Sequence, residues 1–305
     1  MKKIVIFGCQ QIAVDFIRYV LDQSNVEISL VVTYELALDK TYGYESVIEN
    51  FSQSKIDVES PPRITKSLID KVRDIDPDYI FSIYYRQILP KALLSSAKIS
   101  CINIHPSLLP LYRGPVPTAW AIENGEKEFG VTIHLMDEGI DTGDVLVQEK
   151  YPILDNETGF ELYTRGMKLG YELLVKSFKK IINQEIKAKP QVGIGTYFGK
   201  KRGKTTISWQ QSAEAINNKI RSHSKPYNSA ETALFNRYIF INKAKVLHSD
   251  KYPAQGCGRI VDIVDENKLI ISCAIGCLIL EDFSIVPELT KEEEKIYFKI
   301  GNKLN

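Results

Sequence analysis

A chain of 305 residues with 44% hydrophobic and 25% charged side chains has the composition of a globular protein, long enough for one large domain and a smaller one, and not that of a disordered chain. Its 39 Lys and Arg nearly balance 38 Asp and Glu, and the net charge of +1 makes no general electrostatic case for nucleic acid. Five scattered cysteines predict free thiols, four histidines argue against a metal centre, and without a signal peptide or an apolar run of about 18 residues the expectation is a cytoplasmic protein with no membrane partner.

Residues 3–8 form a β-branched run that ends on Gly8, and Ile12, Phe16, Ile17, Val20 and Leu21 follow at helical spacing. Strand, glycine turn and helix in that order open an α/β sheet. Gly8 stands alone in the turn, so the triple-glycine dinucleotide fingerprint is absent and a nicotinamide cofactor is not expected. A second strand is predicted over 26–33, a polar, tyrosine-bearing excursion from 34 to 51 before a helix, another short helix over 67–74 and a buried strand over 76–84. Strands alternating with helices imply a parallel sheet covered on both faces, and ligands of such sheets bind beyond the carboxyl ends of the strands.

Residues 98–105 read as the next strand, and Asn103 and His105, two apart, project to one side of it. Either residue alone would most simply be structural. Together they precede Pro106, a compact turn over Ser107-Leu-Leu-Pro110 and a loop at Arg113-Gly114-Pro115 able to approach a ligand. Residues 130–136 form a strand, 137–144 an acidic loop with two glycines, 145–151 a returning strand, and 157–182 a long helix with a core-facing apolar stripe. Composition shifts over 184–204, where 198–204 concentrates cations and glycines as a solvated linker would. A second unit then reads as a short strand over 207–209, a helix over 212–221 and strands over 238–241, 258–264, 268–274 and 276–282, the pattern of a small barrel.

Six segments carry a resemblance: 80–86 (Ile-Phe-Ser-Ile-Tyr-Tyr-Arg), Asn103-Ile-His-Pro-Ser-Leu-Leu-Pro110, Tyr112-Arg-Gly114, Gly130-Val-Thr-Ile-His134, Asp141-Thr-Gly143 and Trp209. With them, over nearly its whole length, the chain resembles the folate-dependent formyltransferases, and within them the nucleotide-sugar branch typified by the formyltransferase domain acting on UDP-4-amino-4-deoxyarabinose. The resemblance implies an α/β fold: a Rossmann-like, mostly parallel sheet in a catalytic domain over 1–188, a linker over 189–206 and a smaller β-rich, open-barrel (OB-like) domain over 207–305. It implies that Asn103 polarises a formyl carbonyl, that His105 is the acid/base and that Asp141 pairs with its imidazole. The chemistry suits those residue types. Attack by an amine on a formyl group builds an oxyanion that a fixed amide and an imidazolium stabilise, and Asp141 is expected to raise the pKa of His105.

The resemblance further implies 10-formyltetrahydrofolate as formyl donor, without a metal, held in a slot formed by Gln87, Ile88 and Leu89 and by Asp137, Glu138, Gly139, Ile140 and Asp141. The expected acceptor is a nucleotide-linked amino sugar contacted by Tyr112, Arg113, Gly114 and Arg202, the two arginines offering forks for a diphosphate. Pro115 stands where arabinose-type relatives carry a second arginine. Methionyl-tRNA is the alternative acceptor, set second because the loop after the second strand is not basic and the net charge is near zero. A folate-using hydrolase would carry a further domain, and a silent folate-binding module would not need Asn103, His105 and Asp141 together. The C-terminal unit is expected to serve substrate closure, homodimer formation or structural support.

Overall fold

The strand β1 (Lys2–Gly8) is apolar on both faces, with Ile4, Val5, Ile6 and Phe7 fully buried, as a strand covered on both sides must be. This computed structural model describes residues 1–34, 42–200, 205–248, 252, 256–265 and 268–305. Two units separate by their contacts, one of residues 1–115, 129–151 and 164–198 and the other of 116–128, 152–163 and 199–305.

In the first unit β1 lies between β2 (Val26–Val32) and β4 (Tyr79–Ile83), parallel to both. Among the described residues the sheet has seven strands in the order β3-β2-β1-β4-β5-β6-β7, with β3 at Val58–Glu59, β5 at Ser100–His105, β6 at Glu128–Leu135 and β7 at Val145–Pro152. β5 is parallel to β4 and antiparallel to β6. The sheet is the mostly parallel, Rossmann-like one expected, and its order reverses direction of growth between β1 and β4, where such sheets open a crevice.

Helix α1 (Gln10–Leu21) buries Ile12, Phe16, Ile17 and Val20, the residues whose spacing predicts it. Its Phe16 meets Phe81 of β4 and Phe178 with ring centroids 5.3 and 5.7 Å apart. The other face of the sheet packs Val5, Phe7, Leu30, Val32 and Ile80 with Leu68 and Val72 of a second helix, Lys66–Ile75, whose first turn is capped by Thr65. Phe178 belongs to the expected long helix, Gly159–Ile182, of which residues from Thr164 on lie in this unit. Short helices at Val47–Phe51 and Lys91–Leu94, which apolar periodicity alone does not announce, lie here too, while the helix expected after Phe51 is absent among the described residues and β3 is the element between Phe51 and Lys66. Of the excursion after β2, residues 35–41 lie outside the described residues.

The second unit holds an antiparallel sheet in the order β10-β11-β12-β9-β8. Its strands are β8 (Ala230–Leu234), β9 (Arg237–Leu247), β10 (Ile260–Val264), β11 (Lys268–Ser272) and β12 (Cys277–Val286). Residues 301–305 run between the two edges: Asn305 exchanges main-chain hydrogen bonds with Ala233 of β8, while Leu304 donates to Gly258, just before β10, and Gly301 to Ile260 at its start. That arrangement closes the gap of an open barrel. Residues 207–209 are not the expected strand. Ile207 and Trp209 are instead core side chains, 3% and 2% exposed, and Trp209 Nε1 donates to Thr232 Oγ1 at 2.9 Å. β8 and the helix Lys291–Tyr297 are elements the sequence reading lacks. The helix Ala213–His223, capped by Ser212, is where periodicity puts it.

Candidate active site

Asn103 and His105 occupy the carboxyl end of β5, and the register of the antiparallel pair sets His134 opposite Asn103 and Thr132 opposite His105. Four polar side chains thereby share one patch of a sheet whose surroundings are apolar. His105 is 6% exposed, His134 2% and Thr132 fully buried. Thr132 Oγ1 donates to Ser107 O at 2.7 Å, and Gln148 Nε2 donates both to Thr132 Oγ1 (2.8 Å) and to Leu109 O (2.9 Å). Those bonds, with Ser107 Oγ donating to Leu111 O, hold the Ser-Leu-Leu-Pro turn against β6.

The Asp141 carboxylate enters from the loop after β6, with Oδ2 3.5 Å from His105 Nδ1 and Oδ1 3.6 Å from His134 Nε2. Gly114 N–H donates to Asp141 Oδ2 at 2.8 Å. Gly114 adopts φ +94, and a Cβ there would stand 2.5 Å from Phe198 O and 2.7 Å from Tyr197 Cε2, so only glycine permits this approach. Gly143 is equally constrained, since a Cβ would fall 1.9 Å from Leu135 O. Each of these two glycines lets a loop close on Asp141.

Hydrogen-bond partners assign the rings. His105 Nε2 lies 2.9 Å from Tyr112 O, an acceptor only, so Nε2 carries a proton and Nδ1 is the nitrogen that faces Asp141. His134 Nδ1 lies 2.7 Å from Leu135 O, so Nδ1 is protonated and the Nε2 lone pair receives Asn103 Nδ2–H at 3.1 Å. The second Asn103 N–H has only a long contact of 3.5 Å to Asp141 Oδ1 and is the weaker-bound donor of this side chain.

Burial lowers the His105 imidazole below its ordinary 6.5, helped by the nearby His134 and opposed by Asp141 and the Tyr112 carbonyl. Asp141 pulls in the expected upward direction, but in a site this dry the cost of burying a charged ring is larger, which corrects the expectation of a raised pKa. Burial alone would raise the Asp141 carboxyl, yet the His105 and His134 rings and the Gly114 N–H hold it at about 2. A neutral imidazole beside an ionised carboxylate is a proton acceptor whose charged form has a partner waiting.

The loops expected to hold folate are tied together at the surface by Lys91 Nζ and a Glu138 oxygen 2.6 Å apart. Ile88 is 75% exposed and Ile140 41%, leaving apolar surface fit for a flat ring system. Leu89 is buried in the core, and the Gln87 side chain is engaged by Ile64 N–H and Pro62 O. Asp137 Oδ1 accepts from Gly139 N and Thr142 Oγ1, which shapes the turn before Asp141.

Of the residues expected to meet the acceptor, Tyr112 is 9% exposed and stacks on Phe198 with centroids 5.0 Å apart. The Arg113 guanidinium is turned onto Gln191 Oε1, at 3.2 Å from Nε and 2.7 Å from Nη2. Arg202 lies outside the described residues. His134 and Gln191 are site residues that the sequence reading gave no role, although His134 stands two residues from Thr132 on a strand whose alternation was legible. Among the described residues no cluster of His, Cys, Asp and Glu forms a metal-binding group, and no helix is long and apolar enough to cross a membrane.

Residues 2–178 match the Formyl transferase family, and residues 200–286 match the family Formyl transferase, C-terminal domain. The chain is 35% identical over 287 residues to the methionyl-tRNA formyltransferase of Clostridium novyi (strain NT), covering 92% of this chain and 91% of that protein. The solved structure of WlaRD, a sugar 3N-formyl transferase in the presence of dTDP and 5-N-formyl-THF, superposes with a TM-score of 0.70 at 25% identity, over 95% of this chain and 99% of that one. The N-formyltransferase from Helicobacter canadensis, in complex with folinic acid and dTDP-3-aminofucose, gives 0.72 at 24% identity, over 93% and 100%.

Proposed function

Since the chain belongs to the formyl transferase family and is a folate-dependent N-formyltransferase using 10-formyltetrahydrofolate, we propose that its acceptor is the amine of methionyl-tRNA. The observation that carries this reading is the 35% identity to a methionyl-tRNA formyltransferase along nearly the full length of both chains. It reverses the order of acceptors expected from sequence. The near-zero net charge is also a sum of unlike parts: residues 199–305 hold 17 Lys and Arg against 12 Asp and Glu, and residues 1–198 hold 22 against 26. A chain whose positive charge gathers in one part is suited to a polyanion in a way that its total conceals.

The donor supplies the formyl group, and the exposed Ile88 and Ile140 with the main chain around Asp137 and Gly139 would hold its ring. Asn103 would present its free N–H to the oxygen of the carbonyl under attack, where one fixed donor in a dry site contributes about 10²–10³ in rate. His105, neutral through burial, would take the proton that the attacking amine must lose, on Nδ1, and Asp141 would stabilise the resulting imidazolium. The same Nδ1–H would then protonate the departing nitrogen. Tyr112 O holds the ring so that Nδ1, not Nε2, does this work.

A nucleotide-linked amino sugar is the second reading, favoured by the agreement with WlaRD over 95% of this chain and 99% of that one. The two are separated by giving the purified protein 10-formyltetrahydrofolate with methionyl-tRNA in one reaction and dTDP- or UDP-linked amino sugars in another. Formyl transfer to the tRNA is expected. Formylated sugar with unmodified tRNA would overturn the first reading in favour of the second.

A further inference from the structure

Gln191 belongs to a stretch whose composition suggests no more than a linker, yet its carboxamide joins two loops of the site. Oε1 accepts from Nε and Nη2 of Arg113, and Nε2 donates to the main-chain oxygens of Asp141 and Gly143, each at 2.8 Å. A primary amide offers two N–H groups and two lone pairs, and all four are used here. The backbone around it is itself anchored. Lys189 and Val145 exchange hydrogen bonds at 2.8 and 2.9 Å, Arg113 N–H donates to Thr196 O, and Phe198 N–H donates to Arg113 O.

The main chain that Gln191 grips is under constraint. Asp141 adopts φ 54, in the left-handed region, which is uncommon for a residue with a side chain although Asp enters it more readily than most. Two hydrogen bonds from one side chain, one at Asp141 and one at Gly143, bracket the turn on either side of Thr142. The Arg113-Gly114 loop thus reaches Asp141 by two routes, through Gly114 N–H to the carboxylate and through Arg113 and Gln191 to the backbone.

We propose that Gln191 is a positioning residue for Asp141, fixing the turn after β6 so that the carboxylate stays opposite His105 Nδ1. The proposal rests on the reading of His105 and Asp141 as a proton-handling pair. It also gives Arg113 a different task from the phosphate contact its sequence suggests: the guanidinium orients Gln191 so that the amide nitrogen, not the oxygen, faces the two carbonyls. The amide is essential to this. A glutamate at 191 keeps acceptors for Arg113 but brings no N–H to the oxygens of Asp141 and Gly143, and would set a carboxylate against them.

The test uses Gln191→Glu and Gln191→Ala, each made in the full chain and again in an Asp141→Asn background. NMR titration of the His105 ring, assigned with His105→Gln, reports where Asp141 stands. The groups facing that ring are Asp141, the Tyr112 carbonyl and His134; of these Asp141 and the carbonyl favour the charged ring, and His134 and burial disfavour it. Gln191→Ala is therefore expected to move the His105 midpoint further down, and Gln191→Glu to move it down less, because its new carboxylate itself favours the charged ring. They are expected to lower kcat by about a hundredfold, the scale of a small misplacement of a reacting group, with KM for 10-formyltetrahydrofolate changed less than about threefold. In the Asp141→Asn background the same substitutions should cost less than about twofold, because residues acting through one another are not additive. An unmoved His105 titration in Gln191→Ala, or an equal loss of kcat in both backgrounds, overturns the proposal. Full turnover by Asp141→Asn alone overturns the catalytic reading of Asp141, while the titration still decides whether Gln191 sets its place.

Discussion

Asn103 and His134 face each other across the antiparallel pair β5 and β6, with Asn103 Nδ2 3.1 Å from His134 Nε2. Because the Leu135 carbonyl holds the proton on His134 Nδ1, the imidazole can only accept from Asn103, and the carboxamide is kept with its nitrogen toward the site. A histidine that never meets the substrate in this scheme thus decides which end of the asparagine does. Replacing His134 by Phe removes the acceptor and frees the amide to turn. The expected result is a loss of kcat of about tenfold to a hundredfold with KM for the folate donor little changed; Asn103→Ala should cost about 10²–10³ in kcat. Steady-state kinetics with both variants checks this, and a His134→Phe enzyme of normal kcat would detach the ring from the orientation of Asn103.

Acid sensitivity follows from two groups with different windows. His105 lies below its ordinary 6.5 when folded, so on acidification the unfolded chain binds that proton first and folded stability declines as pH falls below 6.5. Asp141 lies at about 2 against an ordinary 3.8, so its contribution is complete above pH 3.8 and is lost only as pH falls toward 2. Between pH 7 and 5, of these two groups, His105 alone acts. Urea midpoints should fall over that interval in the wild type and less steeply in His105→Gln; parallel slopes would remove His105 from the acid lability.

Leu304 is fully buried, and its N–H donates to Gly258 O at 2.7 Å. Truncation to Ala should destabilise the C-terminal unit by about 2–5 kcal/mol, the range for a buried leucine. Deleting 301–305 should do more, since it removes the main-chain partners of Ala233 on β8 and of Ile260 on β10. Urea unfolding and light scattering measure the two effects, and a truncated chain as stable and monodisperse as the parent would contradict the closing role of these residues.

Gly114→Ala meets both a left-handed backbone and a carbonyl 2.5 Å from the new methyl. A stability loss of about 1–3 kcal/mol is expected, together with a fall in kcat because Gly114 N–H no longer reaches the Asp141 carboxylate. Thermal unfolding and turnover are measured together. A variant that loses neither would show that the loop relaxes without moving Asp141.

Much of the fold is local information. The β-branched run before Gly8, the helical spacing from Ile12 to Leu21 and the alternation that puts Asn103 and His105 on one side of β5 are periodicities of 3.6 and 2, legible in a single chain. Short pieces such as Lys91–Leu94 escape because one turn of helix carries no period, and Ile207 and Trp209 read as strand because buried apolar residues look alike whether or not they are paired.

By itself the sequence determined the alternation of strands and helices that opens the chain, the β-rich character of its C-terminal part and the presence of an amide and an imidazole at one strand end. Only the tertiary structure decided what surrounds them. The register of β5 on β6 sets His134 against Asn103, loop closure over Gly114 and Gly143 brings Asp141 to His105, and a supposed linker returns Gln191 to hold that loop and occupy Arg113. Each of these joins residues 27 to 78 positions apart, and separations of that size leave no periodic trace, because they are chosen by the packing of the whole sheet and not by the preferences of neighbours along the chain.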